Sequence, residues 1–182
     1  MARYSEAPTV EASTLVNSTP ETLWPLVTDM ELIASLSTEL QRVRWLDEGE
    51  AGGADGGASG VAFGRRFEGT NFHQARGEWC TTSSVIACTE PRVFSWAVEN
   101  VDDPTAIWGF ELTPTDEGTV LRQFAQLGPG PSGLSEVIAR MPEKEERIVE
   151  YRLREFRAGI ERNLAAIREL AETGRLSEQT QP

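Results

Sequence analysis

The sequence predicts one α+β domain, an antiparallel sheet of about seven strands packed on a long C-terminal helix. Three observations predict it. Between Glu39 and Gln126, short runs alternate apolar with polar residues and are separated by turn signals such as "TDEG". That is the period of half-buried strands joined by hairpins. Near the C-terminus, Val149, Leu153, Phe156, Ile160, Leu164, Ile167 and Ala171 recur at spacings of three and four, which is one face of an α-helix. The order of elements (strand, two short helices, six strands, helix) leaves that long helix as the only large partner for the sheet.

The elements follow in sequence. Thr9 to Val16 reads as a strand with Val10, Ala12, Thr14 and Val16 on one face. "STPETLWPLV" opens a helix, with Ser18 and Glu21 as a capping box and Pro20 in the first turn; Thr28 and Glu31 repeat the signal for a second helix. Glu39 to Asp47 returns to strand, and the glycine-rich stretch 49–60 reads as a flexible hairpin loop. Val61 to Asn71 sets Phe63, Arg65 and Phe67 on one face. The next strand groups Trp79, Thr81, Ser83 and Val85, and the two after it alternate Phe94, Trp96, Val98 and Trp108, Phe110, Leu112. Thr119 to Gln126 is the last strand. "LGPGPSGL" (127–134) then leads to a short helix, Leu134 to Arg140, and Pro142 starts the long one, with acidic residues at its positive end.

Composition narrows the function classes. A chain of 182 residues suits one domain, expected at 9–172 between an N-terminal tail (1–8) and a C-terminal tail (173–182). No apolar run is long enough to span a membrane, and the first residues lack a secretory apolar core. Cys80 and Cys88 share one strand, roughly 26 Å apart at about 3.3 Å per residue, beyond disulfide reach. A reduced, cytoplasmic setting is expected. The net charge of −12 disfavours nucleic acid and anionic membranes as partners. Lys144 is the only lysine, an arginine bias read as GC-rich bacterial coding rather than chemistry.

The search for chemistry leaves little. His73 is the only histidine and the two cysteines are well separated, so no metal site is expected. No nucleophile-elbow or phosphate-binding glycine motif accompanies them, and no cofactor is expected. What remains are polar residues on the predicted inner faces: Arg65 beside Phe63 and Phe67; Asn71, Thr81 and Ser83 beside aromatic neighbours; and Arg122 and Gln126 flanking Phe124, if that face points inward. A buried arginine needs an internal carboxylate or the oxygens of a ligand. Gly159 in mid-helix costs up to about 1 kcal/mol relative to alanine, so a close neighbour or a ligand is expected there.

"NSTPETLWPLVTDMELI", "FEGTN", "EWCTTSSVIACTEP", "FSWAV", "AIWGFELTP" and "GTVLRQF", taken in this order over roughly Val10 to Leu170, resemble the START-like SRPBCC superfamily of polyketide cyclases/dehydrases and lipid-transfer proteins. The resemblance implies a helix-grip fold, a curved sheet wrapped around the C-terminal helix with an apolar cavity between them. It implies a small hydrophobic ligand (lipid-, polyketide- or polycyclic-like) held by Phe63, Arg65, Phe67, Asn71, Trp79, Thr81, Phe94, Trp96, Trp108, Phe110, Phe124, Phe156 and Ile160. Residues 127–134 would lie at its mouth, with Gly128, Pro129, Gly130 and Pro131 forming a lid; the alternative is a plain connector between the last strand and the helix. The alternative is a cofactor-independent cyclase or aromatase catalysing aldol closure and dehydration, with Arg65, Arg122 and Ser83 as catalytic candidates. A homodimer stays open as a further partner state.

Overall fold

The computed structural model describes residues 2–46 and 61–176; the expected loop 49–60 lies outside the described residues. Seven strands make one curved antiparallel sheet: β1 (Thr9–Val16), β2 (Leu40–Trp45), β3 (Arg66–His73), β4 (Gly77–Thr89), β5 (Val93–Glu99), β6 (Pro104–Thr115) and β7 (Gly118–Leu127). Their spatial order is β1-β7-β6-β5-β4-β3-β2. Hairpins join β3 through β7 in succession, while β1 crosses to the far end and pairs with β7. Helices α1 (Pro20–Thr28) and α2 (Met30–Leu36) follow β1; α3 (Gly133–Arg140) and α4 (Glu145–Thr173) follow β7.

The long helix packs on β1 and β7, α1 packs on α4 and β6, and α2 packs on β2 and α4. One face of every strand turns towards these helices. Phe67, Val85, Phe94, Phe110, Leu112, Leu121 and Ala125 are buried from the sheet side, and Val149, Phe156, Ile160, Leu164 and Ile167 from α4. Leu23, Trp24, Val27, Met30 and Ile33 complete the core from α1 and α2. Each large apolar side chain removed from water contributes about 1.5–3 kcal/mol, so this interface is the main source of stability.

The local differences from the sequence reading have identifiable causes. The cap of α1 is Thr19, whose side chain accepts from the Thr22 amide, rather than Ser18. The cap of α2 is Asp29, which accepts from Glu31 and Leu32, because Thr28 is already inside α1 and donates its hydroxyl to the Trp24 carbonyl. Strand β3 begins only at Arg66. Residues 61–65 form a turn in which Gly64 adopts φ +80° and its amide donates to the Val85 carbonyl. Phe63 therefore leaves the expected face and is 75% exposed. Pro142–Lys144 is a separate 3-10 turn ahead of α4. Within the expected N-terminal tail, Tyr4–Glu6 form another, and Tyr4 is buried.

Gly159 has no crowded neighbour: a Cβ there would meet nothing nearer than the Arg162 guanidinium at 3.9 Å. Replacing it with alanine is expected to stabilise the protein by up to about 1 kcal/mol through helix propensity alone. Urea denaturation checks this, and a destabilised variant would show that the helix needs the glycine.

Candidate functional site: the interior between sheet and long helix

The inner face of the sheet carries a continuous chain of aromatic rings. Trp45 meets Phe67 edge-on with centroids 5.3 Å apart; Phe67 meets Trp96 at 6.1 Å; and Trp96 lies 5.4 Å from Phe94 and 6.4 Å from Phe110. Trp24 reaches Phe94 from α1 at 6.4 Å, and Phe156 of α4 lies 4.6 Å from Trp108. The pairing registers explain the chain, because Phe94 is opposite Phe110 and Trp96 is opposite Trp108. Phe67, Phe94 and Phe110 are fully buried. These rings are in mutual contact along the inner face.

Polar groups are set into the apolar interior. Gln123 sits on the inner face of β7, opposite Phe110 on β6 and Ala12 on β1. Asn163 is one turn along α4 from Ile160, and Trp24 belongs to α1. The Gln123 Oε1, Asn163 Oδ1 and Trp24 Nε1 atoms are buried and have no hydrogen-bond partner among the described residues. Asn71 differs, since its amide donates to the Gly69 carbonyl and to Thr81 Oγ1, both at 3.1 Å.

A charged cluster stands where α4 passes the β3–β4 hairpin. Arg152 bonds Glu39 at 2.6 Å and Glu155 at 3.1 Å, with its guanidinium 4.5 Å from the Phe156 ring centre. The Ala75 amide donates to His73 Nδ1, so the ring proton sits on Nε2 and is donated to Glu155 Oε1 at 3.0 Å. Both histidine nitrogens are thereby engaged, which leaves neither to act as a base on a bound molecule. Burial pushes the Glu155 carboxyl up, but the bonds from His73 and Arg152 outweigh it and hold the group below its ordinary value. Its stabilising share is therefore present above the ordinary glutamate range and is lost as pH falls through its lowered value.

The structure gathers many of the residues singled out from the sequence. Phe67, Asn71, Trp79, Thr81, Ser83, Phe94, Trp96, Trp108 and Phe110 lie on inner-facing positions of β3 to β6, and Phe156 and Ile160 face them from α4. Arg65 lies beside the start of β3, half-buried, with its guanidinium 4.2 Å from the Trp45 ring centre. Arg122 and Phe124 do not join them. The register of β7 turns Thr119, Leu121, Gln123, Ala125 and Leu127 inward. Arg122 therefore lies on the outer face, bridging Glu11 and, at 2.8 Å, Glu111. Phe124 covers Gly109 beside Ser95 on that same outer face.

The segment 128–131 is firmly tied. The Gly128 amide donates to the Thr105 carbonyl at 2.8 Å and the Gly130 amide to the Pro104 carbonyl at 2.9 Å. The buried Tyr4 hydroxyl donates to the Gly130 carbonyl at 2.6 Å and lies 2.8 Å from Ser132 Oγ. At Gly128, φ is +77° and an added Cβ would sit 2.9 Å from the Tyr4 ring, so glycine is required twice over. By contrast α3 has no fully buried residue; Leu134 and Ile138 merely rest on the core.

Sequence reasoning missed Trp24, Gln123 and Asn163 as a set. A signal existed for two of them: Gln123 interrupts the alternating run Leu121, Ala125, Leu127, and Asn163 stands three residues after Ile160 beside the apolar stripe of α4. Among the described residues, no group of three His, Cys, Asp or Glu side chains could hold a metal ion, and no helix is long and apolar enough to cross a membrane.

Over residues 7–161 the sequence matches the protein family described as polyketide cyclase / dehydrase and lipid transport. Solved structures share the architecture. The polyketide-cyclase-like protein Cgl2372 of Corynebacterium glutamicum superposes with a TM-score of 0.62 at 24% identity, covering 91% of this chain and 92% of that one. DR_A0006 of Deinococcus radiodurans gives 0.61 at 14%, covering 92% and 100%. The di-domain aromatase/cyclase StfQ of the steffimycin biosynthetic pathway gives 0.64 at 13%; the match covers 92% of this chain and 51% of that protein. At these identities the likeness is one of fold. No curated protein matches the sequence.

Proposed function

Since the chain belongs to the polyketide cyclase/dehydrase and lipid transport family, we propose that it binds a small hydrophobic molecule between the sheet and α4. The ligand we infer is flat or ring-containing and bears at least one hydrogen-bonding group. One observation carries this reading: Trp24 Nε1, Gln123 Oε1 and Asn163 Oδ1 are buried, without partners among the described residues, on the elements that enclose the aromatic interior. Leaving a buried polar atom unpaired costs about 1–3 kcal/mol, a burden that a ligand hydroxyl or carbonyl, or an ordered water, relieves. An apolar, aromatic lining with a few polar groups is the usual composition of a small-molecule site. Binding would displace rings of the Phe67–Trp96–Phe110 chain, and α3 is the element best placed to yield, since 128–131 is tied down.

The cyclase reading draws less support. Arg122 is committed to Glu11 and Glu111, both His73 nitrogens are engaged, and Arg65 is stacked on Trp45. Of the three catalytic candidates only Ser83 is buried on the inner face.

The test is tryptophan fluorescence titration with 2-naphthol and a panel of flat hydroxylated apolar probes, on the wild type and on Asn163→Leu and Gln123→Leu. The wild type should quench saturably. Each variant should bind several-fold more weakly while unfolding at the same or a higher temperature, because it removes an orphaned polar atom. No saturable response across the panel would defeat the proposal. Variants that lose stability in parallel with binding would show the amides to be structural.

A further inference from the structure

The two edges of the sheet are built differently. At β2 the pairing slips between Leu40 and Arg42, and Arg42 and Arg44 stand exposed, so a bulge and charge guard that edge. At β1 the bulge is missing: eight residues pair with β7 without a register shift, the strand holds neither proline nor lysine, and Glu11 is its single charge. The Leu127 amide donates to the Pro8 carbonyl, which sets the phase of the ladder. Val10, Ala12, Thr14 and Val16 bond to β7, so the amides and carbonyls of Thr9, Glu11, Ser13 and Leu15 point to the open edge. Leu15 is among the exposed large apolar side chains. Beside this edge runs a groove of about 600 Å³, floored by Ala12, Ser13 and Thr14 and walled by α4 from Arg157 to Thr173.

We propose that this edge is a self-association surface, where β1 pairs antiparallel with β1 of a second copy about a two-fold axis at Ala12. That register sets Glu11 opposite Ser13 and Thr9 opposite Leu15 of the other copy, with their outward backbone groups matched. A shift that centred the axis on Glu11 would oppose like charges, which is destabilising. The same axis reverses α4, and the charges of the groove wall are self-complementary about a point between Leu164 and Ala165: Arg157 comes against Glu172 of the second copy, and Glu161 against Arg168. Within one copy these groups form the exposed pairs Arg157–Glu161 and Arg168–Glu172. Such surface pairs add little affinity but select orientation, while the backbone ladder supplies the binding. A second copy fits better than an arbitrary strand because only it carries the matching order of charges.

Sedimentation velocity on the full chain, from micromolar to millimolar, with hydrogen exchange alongside, tests this. The wild type should dimerise, and the amides of Glu11, Ser13 and Leu15 should exchange more slowly as concentration rises. Ser13→Pro removes an outward amide without touching the β7 ladder and should raise the dimer Kd by about tenfold or more. Glu161→Arg should weaken the dimer as well, and adding Arg168→Glu to it should restore association; this pair of variants serves if the proline variant does not fold. A wild type still monomeric at millimolar concentration overturns the proposal. So does a dimer indifferent to both kinds of variant, or an edge that gains protection only when an unrelated extended peptide is added.

Discussion

Phe94→Ala is expected to lower the free energy of unfolding by about 3–5 kcal/mol, the usual consequence of emptying a fully buried aromatic site. Phe94 is wholly inaccessible and stands in the middle of the ring chain, touching Trp24 on one side and Trp96 on the other. Its removal would leave three facing surfaces without a partner: α1 through Trp24, the neighbouring strand through Phe110, and Trp96 on its own strand. At about 2–4 °C per kcal/mol for a domain of this size, the melting temperature should fall by roughly 10 °C. Calorimetry reads the effect directly. A loss below about 1 kcal/mol would mean that the interior is loosely filled and that the ring contacts contribute little. A hydrophobic probe that restores the melting temperature of the variant would place its binding site in the interior.

The second large effect is expected at Gly130. An alanine Cβ there would lie 2.1 Å from the Asp103 carbonyl oxygen and 2.8 Å from the carbonyl carbons of Asp103 and Pro104. These are backbone atoms of the β5–β6 turn and the start of β6, so they cannot swing aside as a side chain would. Relief requires the segment to move, and movement breaks the Gly130–Pro104 and Tyr4–Gly130 hydrogen bonds. Gly130→Ala should therefore lower stability by about 1–3 kcal/mol or more, as forced overpacking does. Urea denaturation with the slope held in common gives the number. An unchanged midpoint, with altered rates of ligand association and release, would instead identify 128–131 as the moving gate.

What the sequence determined by itself was the kind and order of the elements, which rest on periodicity. Alternation over two residues marked the strands, and the spacings from Val149 to Ile167 marked the buried face of α4, because both patterns follow from backbone geometry and the need to hide apolar surface. Trp96 and Phe110 could be placed on the inner face for the same reason. Features decided by a single neighbour were not legible. Thr19 rather than Ser18 caps α1, and Gly64 ends the turn that throws Phe63 outward, through contacts that no pattern of hydrophobicity encodes.

The inward face of β7 was decided only by tertiary structure. Phe124 suggested one face and Leu121 with Ala125 the other, and the alternation is formally satisfied by both. Pairing with β1 and β6 settles it, since Arg122 finds Glu11 and Glu111 on the outer side while Gln123 is carried into the interior. Likewise, the tie between Tyr4 and Gly130 joins residues 126 positions apart. A chain segment's composition reports how freely it can bend; whether it is free to do so depends on distant atoms that reach it only once the sheet has formed.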